Sequence, residues 1–349
     1  MRIEENRELG PLTTLGVGGP ARWFAEPETE DEVLEAVKWA TAGGVPLFVL
    51  GGGSNLLVAD AGFNGVVIKL GLKGVHVAIA RADWERYYTA AAGEDWDTFV
   101  QRTVEENSAG LECLAGIPGT VGGTPVQNVG AYGQEVASTI YEVRALDLER
   151  NEIADFRADE CAFAYRRSRF NTADRGRFVI LSVVYRLTRG GSPILKYADV
   201  QREFPGESKP SLTEVAEAVR RIRRSKGMLL VEGDADCRSA GSFFKNPVIA
   251  EEKAAEIARI AGAEPPRFPA GPEFPAMMKI SAAWLMERSG FCRGFRLGRA
   301  AISSKHTLAL VNLGGATAAE ILALAHAIRT AVSAKFSIDL EIEPVLIGF

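Results

Sequence analysis

No apolar run in the chain approaches the ~20 residues that span a bilayer. The longest strand-like stretch, FVILSVVY at 178–185, is short and broken by Ser182. The opening residues, MRIEENRELG, carry neither an apolar stretch nor a cleavage site, so they do not read as a signal peptide, and the cytoplasm is the expected compartment. Cysteine is scarce: Cys113, Cys161, Cys237 and Cys292 lie far apart, with no C-x-x-C pair. Histidine is scarcer, with only His76, His306 and His326. A zinc site needs clustered soft ligands, so no metal centre is expected, and scattered thiols suit a reducing compartment. Basic excess is missing too. The 40 Lys and Arg against 45 Asp and Glu give a net charge of −5, which argues against a general nucleic-acid binder while allowing a local basic pocket for a phosphorylated small molecule. What remains is an ordinary globular composition, 47% apolar and 24% charged. At about 150 residues per domain, 349 residues suggest two or three domains.

Local patterns mix helix and strand. Residues 29–44 open with a capping box, Thr29 to Glu32, put Val33, Val37 and Ala40 on one face, and stop at Gly43 and Gly44. A strand at 46–50 runs into GGGSN at 51–55. Residues 95–110 read as a helix with Trp96, Phe99, Val100, Thr103 and Val104 on one stripe. Segments 139–150 and 177–187 are β-branched and read as strands. Residues 211–227 read as a helix whose last turns hold Arg220, Arg221, Arg223, Arg224 and Lys226, ordinarily a solvated basic face. Later helices fall at 250–261, 281–289 and 317–334, the last with a capping box from Thr317 to Glu320, and a strand falls at 306–313. In the final segment Ile338, Leu340 and Ile342 alternate with Asp339, Glu341 and Glu343, as in a strand. The mixture points to α+β with at least two lobes.

Five segments could carry chemistry. GGGSN follows a strand, and glycines let backbone N–H groups approach a phosphate. The dinucleotide fingerprint fails, because its third glycine would fall at Leu56, and the Walker pattern fails for want of a lysine. AGIPGTVGGTPVQNVGAYG at 115–133 holds six glycines and two prolines. Two such loops could grip the ends of one extended ligand, although a glycine cluster alone is a tight turn more often than a ligand site. ECAFAYRRSRF at 160–170 packs Tyr165, Arg166, Arg167, Ser168 and Arg169 together, on composition a basic surface turn. SAGSFFKNP at 239–247 has no G-x-S-x-G elbow around Ser242, so a hydrolase nucleophile is not expected. Glu343, beside Pro344, is on composition a solvated strand carboxylate.

Taken in order, these segments resemble the UDP-N-acetylenolpyruvoylglucosamine reductase family. The likeness runs from TTLGVGGPARWF (13–24) through GGGSNLLVAD (51–60), AGIPGTVGG (115–123), QNVGAYGQEV (127–136), YRRSRF (165–170), GSFFKNP (241–247) and AAWLMERSG (282–290) to LEIEPVLIG (340–348). The resemblance implies an α+β fold: a two-lobed FAD-binding domain of the vanillyl-alcohol-oxidase type, at 1–70 and 71–226 joined by 331–349, plus a substrate-binding lobe at 227–330. It implies non-covalent FAD, since His76 is the only histidine in the FAD lobes and lies outside the glycine motifs. The FAD pyrophosphate would lie at Gly51, Gly52, Gly53, Ser54 and Asn55. Further cofactor contacts would come from Gly116, Ile117, Pro118, Gly119, Gly122, Gly123, Gln127, Asn128, Gly130, Ala131, Tyr132 and Gly133.

The activity so implied is NADPH-dependent reduction of an enolpyruvyl UDP-sugar in peptidoglycan precursor synthesis. Arg166 matches the catalytic arginine, Glu343 the catalytic glutamate and Ser242 the proton donor. Tyr165, Tyr197, Lys226, Asn246 and Arg288 match substrate contacts, with Arg223 and Arg224 as alternatives to Lys226. The expected partners are NADPH and the UDP-sugar, with no membrane, nucleic acid or obligate protein partner. Two rivals stand beside this reading: another FAD oxidoreductase of the same fold, and a non-catalytic flavin or UDP-sugar module.

Overall fold

Capped helices and β-branched runs fold into an α+β chain. The structure, a computed structural model, describes residues 1–80, 82–206, 208–271, 274 and 276–349. The chain divides into two units. The first comprises Met1–Asn6, Arg22–Gly52 and Asn64–Ser225; the second comprises Arg7–Ala21, Gly53–Phe63 and Lys226–Phe349.

Strands Ile3–Glu8, Pro20–Ala25, Phe63–Lys69 and Leu47–Leu50, mostly of the first unit, form a sheet in that order. Helix α1 (Glu30–Ala42) buries Val33, Ala36, Val37 and Ala40. Thr29 caps it by accepting the Glu32 N–H at 3.2 Å. The expected box is not reciprocal, because the Glu32 carboxylate accepts from the N–H of Glu28 instead. An antiparallel sheet runs Glu152–Arg157, Ile140–Asp147, Phe178–Arg189, Glu85–Ala91 and Val75–Ile79, with Ser108–Ala109 on the end of the long strand. Helix α2 (Trp96–Glu105) is shorter than expected, since Asn107 turns left-handed at φ 54° and the chain becomes a strand. Its Trp96 and Phe99 pack with Tyr185 of the sheet, ring centroids 5.1 to 5.9 Å apart. Helices α3 (Ala198–Glu203) and α4 (Leu212–Ser225) follow, and α4 buries Leu212, Val215, Ala216, Val219 and Ile222.

In the second unit, strands Ser239–Ser242, Ala309–Asn312, Ala300–Ile302 and Arg296–Leu297 form one sheet. A three-stranded sheet holds Val248–Ala250, Met277–Ile280 and Arg267–Pro269. Helices α5 (Glu251–Ala261), α6 (Ala282–Arg288) and α7 (Ala318–Phe336) share a core with them through Ile257, Leu285, Ile302, Leu310, Ile321, Leu324 and Ile328. Residues 331–349 lie in the unit that holds Lys226 onward. The reason is continuity of one apolar face: Val332 and Phe336 of α7 lead into Ile338 and Leu340, all in the same core. Only Val345–Ile347 of the final segment forms a strand, parallel to Leu56–Val58. Among the described residues, no helix is long and apolar enough to cross a membrane.

Candidate functional site

Rigid elements of the first unit hold the second glycine loop from behind. The Trp96 N–H donates to Gly119 O at 3.1 Å, Val121 to Glu94 O at 2.9 Å and Gly122 to Ala92 O at 2.9 Å. The indole of Trp96 donates to Leu114 O, and Thr124 Oγ1 meets the Tyr185 hydroxyl at 2.6 Å. The first glycine loop abuts the second. A Cβ at Gly52 would lie 2.5 Å from Gly119 Cα, and one at Gly51 would lie 3.0 Å from Thr120 Oγ1. Only glycine at 52 lets the two backbones touch. A Cβ at Gly123 would meet nothing within 4 Å, so the strip opens onto free space there. Two apposed glycine loops beside an open cradle fit a cofactor bearing phosphates, which backbone amides bind well. Not every glycine is available as a donor. The N–H groups of Gly116, Gly122 and Gly123 go to Asp97, Ala92 and Thr120.

Side chains, not only backbone, fix the Gly116 peptide. The Asp97 carboxylate accepts the Gly116 N–H at 2.6 Å and pairs with Arg220. Arg223 Nε donates to Gly116 O at 2.9 Å, and its guanidinium also hydrogen-bonds the Tyr132 side chain. Arg223 is only 6% exposed, so the solvated basic face expected at the end of α4 does not include it. It follows Val215 and Val219 at helical spacing, a phase in the sequence that marks it as inward-facing. Burial pulls its pKa below the ordinary guanidinium value, against the opposing pull of Tyr132 and Asp97. Asp97 is the site-supporting residue that reading by motif overlooked, and Arg223 enters that reading only as an alternative to Lys226.

Three non-glycine residues with positive φ converge in the next corner: Asn128 (46°), Tyr132 (51°) and Arg166 (57°). Each costs roughly 1–2 kcal/mol relative to ordinary backbone. Tyr132 and Gly133 form the two-residue loop of a hairpin closed by the Ala131–Gln134 pair, the geometry that favours Asn-Gly. Gln134, 2% exposed, donates to the fully buried Glu112, which also accepts the Ile194 N–H. Arg166 occupies the third position of a turn in which the Arg167 N–H donates to Ala164 O at 3.1 Å. Its Nη2 donates to Gly130 O at 2.9 Å, tying the turn to the hairpin. The Tyr165 ring lies 5.4 Å from the Arg166 guanidinium. Tyr197 meets Tyr132 edge to face at 5.5 Å.

In the second unit, backbone pairing brings distant residues together. Ser242 ends a strand opposite Ala309, after Gly241 at φ 75°. Phe243 and Phe244 follow, both buried. The Glu343 N–H donates to Phe243 O and the Lys245 N–H to Glu341 O, both at 3.0 Å. Asn55 O accepts the Val345 N–H at 2.9 Å, and Asn55 Nδ2 donates to Glu343 O at 3.4 Å. Asn55, Ser242 and Glu343 therefore lie on neighbouring stretches of backbone. Gly53 sits at φ 63°, and a Cβ there would lie 2.0 Å from Leu12 O.

The remaining expected contacts of this unit are more dispersed. Asn246 Oδ1 accepts the Ala282 N–H at 2.9 Å, at the start of α6. Arg288 lies on the exposed last turn of α6, 5.3 Å from the Trp284 ring. Lys226 is half-buried beside His306. Desolvation first, then Lys226 and Arg293, pushes the His306 pKa down to about 4. Of the three cations left open at the end of α4, Arg223 is committed to Gly116 and Tyr132, and Arg224 is exposed.

Residues 21–155 match an FAD-binding domain, and residues 233–347 match the C-terminal domain of UDP-N-acetylenolpyruvoylglucosamine reductase. The protein of that name from Thermobifida fusca is 45% identical over 360 residues, covering 98% of this chain and 97% of the relative. Its namesake from Streptomyces coelicolor is 45% identical over 352 residues, covering 97% and 89%. The crystal structure of UDP-N-acetylenolpyruvylglucosamine reductase from Thermus caldophilus aligns with a TM-score of 0.67 at 27% identity, covering 99% of both chains. With the α+β architecture and the glycine loops, these likenesses place the chain in the UDP-N-acetylenolpyruvoylglucosamine reductase family.

Proposed function

We propose that this chain reduces the enolpyruvyl group of UDP-N-acetylglucosamine enolpyruvate to UDP-N-acetylmuramate, with FAD as cofactor and NADPH as the source of hydride. The observation that most supports this reading is the meeting of Ser242 and Glu343 through the Glu343 N–H to Phe243 O hydrogen bond, 3.0 Å long, in a chain of this family. FAD, held by the glycine loops at 51–55 and 115–133, would supply the hydride chemistry between NADPH and the enol ether. The residues of this chain manage the charge and the proton. Arg166 binds the substrate carboxylate through its planar fork as negative charge builds on the adjacent carbon. Glu343 is the acidic residue of the catalytic set. Ser242 Oγ–H gives the proton to that carbon, and water restores it for the next turnover.

FAD takes the glycine loops at 51–55 and 115–133, within residues 1–226, and the UDP-sugar takes 227–330. Tyr165, Tyr197, Lys226, Asn246 and Arg288 contact the sugar nucleotide. The reaction runs in the cytoplasm.

An anaerobic spectrum tests the assignment. One equivalent of NADPH should bleach the flavin band, and the UDP-linked enolpyruvyl sugar should restore it. Bleaching without return would assign the flavoprotein a different oxidised substrate. A band that NADPH never bleaches would leave a binding module.

A further inference from the structure

Arg166 sits in the left-handed region, at the turn position that glycine favours, and something must hold it there. Two asparagine amides do. Asn128 is 1% exposed, and its side chain is directed into the protein: Nδ2 donates to Ala164 O at 3.0 Å and to Glu135 Oε2 at 3.0 Å, while Oδ1 accepts the Ala137 N–H at 3.1 Å. Asn171 holds the other end. Its Nδ2 donates to Arg166 O at 3.2 Å, and its Oδ1 accepts the Ser168 N–H at 2.9 Å. Ser168, fully buried, is fixed in turn by its Oγ donating to Val126 O at 2.6 Å. The carbonyls of Ala164 and Arg166 are thus each capped by a side-chain amide, and the hairpin carbonyl of Gly130 receives the guanidinium.

We infer that Asn128 and Asn171 are positioning residues for Arg166, aiming its guanidinium through the turn at 164–168 rather than touching cofactor or sugar themselves. This rests on Arg166 being the carboxylate-binding arginine. It differs from an Asn128 whose side chain contacts FAD, because that amide already makes three hydrogen bonds to protein. Asn171 belongs to no motif that the sequence offered.

The test uses Asn171→Asp in the FAD-loaded enzyme. Aspartate keeps the acceptor for the Ser168 N–H but cannot donate to Arg166 O. Flavin reduction by NADPH and the FAD dissociation constant should be unchanged. Reoxidation by the enolpyruvyl sugar should slow by about 10- to 100-fold, the scale of a misaimed catalytic group. Backbone hydrogen exchange across 163–168 should quicken. Asn128→Ala, FAD-loaded, should likewise quicken exchange across 163–168. Equal slowing of both half-reactions, a loss of FAD affinity, or parent-like behaviour throughout would overturn the inference. If the parent enzyme itself is not reoxidised by the sugar, the reductase reading fails. Exchange then decides the clamp alone: an unchanged rate at 163–168 in Asn171→Asp refutes it.

Discussion

The two units present their candidate residues by different physics. In the first, Arg166 and Tyr132 stand on left-handed turns, held by the side chains of Asn128, Asn171 and Arg223. In the second, Ser242 ends a strand, and main-chain hydrogen bonds from Phe243 N–H to Leu308 O and from Glu343 N–H to Phe243 O align it with Glu343. Backbone pairing asks little of individual side chains beyond the buried anchors Phe243 and Phe244. A side-chain clamp fails one residue at a time. The first unit should therefore lose function through substitutions at residues that touch no ligand, and the second chiefly through the reacting residues themselves.

The largest effect expected falls in the second unit. Ser242→Ala should slow flavin reoxidation by the enolpyruvyl sugar by about 10²- to 10⁴-fold, the range for a positioned proton donor. Reduction by NADPH should persist, as stopped-flow absorbance would show. An equal loss in both half-reactions would remove Ser242 as the donor. The next effect breaks the clamp in the first unit. Arg223→Ala leaves Gly116 O and the Tyr132 side chain without their guanidinium partner, and hydrogen bonds to charged groups are worth about 1.5–3 kcal/mol. FAD affinity, followed by flavin fluorescence, should fall by roughly 10- to 100-fold. Arg223→Lys should restore little, since one ammonium cannot span both partners. Parent-like affinity in Arg223→Ala would mean that Gly116 is held well enough by Asp97 alone.

How much of this could be read from the sequence follows the same divide. The α+β class, the helices with apolar stripes and the alternating burial of Ile338 and Leu340 come from local periodicity, which the structure keeps. The family follows from ordered motifs. What escaped is non-local. Arg223 looks like every other arginine at the end of a basic helix until its phase against Val215 and Val219 is counted. Asn171 gives no sign, because its partner is a backbone carbonyl in a turn that glycine would normally mark. The terminal segment alternates as a strand should, yet it pairs through one isolated bridge between Phe244 and Ile342 before Val345–Ile347. Alternation reports which side chains are buried, not which backbone is laddered.

A smaller effect separates the units by pH. His306 has its folded pKa depressed from 6.5 to about 4, so between those values the unfolded chain binds the proton more tightly. Its contribution is present above pH 6.5 and lost as pH falls toward 4, and the whole loss amounts to roughly 3 kcal/mol. Asp147, in the first unit, is held at about 2 by Arg177, so its contribution is present above 3.8 and lost only as pH falls toward 2. Urea unfolding across pH 6.5 to 4 should therefore weaken the second unit first, by hydrogen exchange at 300–312. His306→Gln should flatten that slope. A slope that survives the substitution would assign it to other groups.

The smallest effect sharpens the comparison at two helix starts that look alike in sequence. Thr317 and Glu320 form a reciprocal box: Thr317 Oγ1 accepts the Glu320 N–H at 3.1 Å, and Glu320 Oε2 accepts the Thr317 N–H at 2.9 Å. At α1 the same spacing gives only half of that, because Glu32 bonds Glu28 instead. The α7 start carries a further tie, the Asp60 carboxylate accepting the N–H groups of Ala318 and Ala319 at 2.7 and 3.0 Å. Losing a threonine cap costs about 0.5–2 kcal/mol. Thr317→Ala removes a reciprocal partner, but Asp60 remains to satisfy the first turn. Thr29→Ala removes the threonine acceptor at α1, and Glu32 is already engaged upstream. The two losses should therefore come out similar, with Thr317→Ala no larger despite its fuller box. Combining Thr317→Ala with Asp60→Asn should then cost more than the sum of the single changes, because each acceptor covers for the other at the same helix end. Chemical denaturation of the four variants would show it, and strict additivity would mean that the two caps act independently.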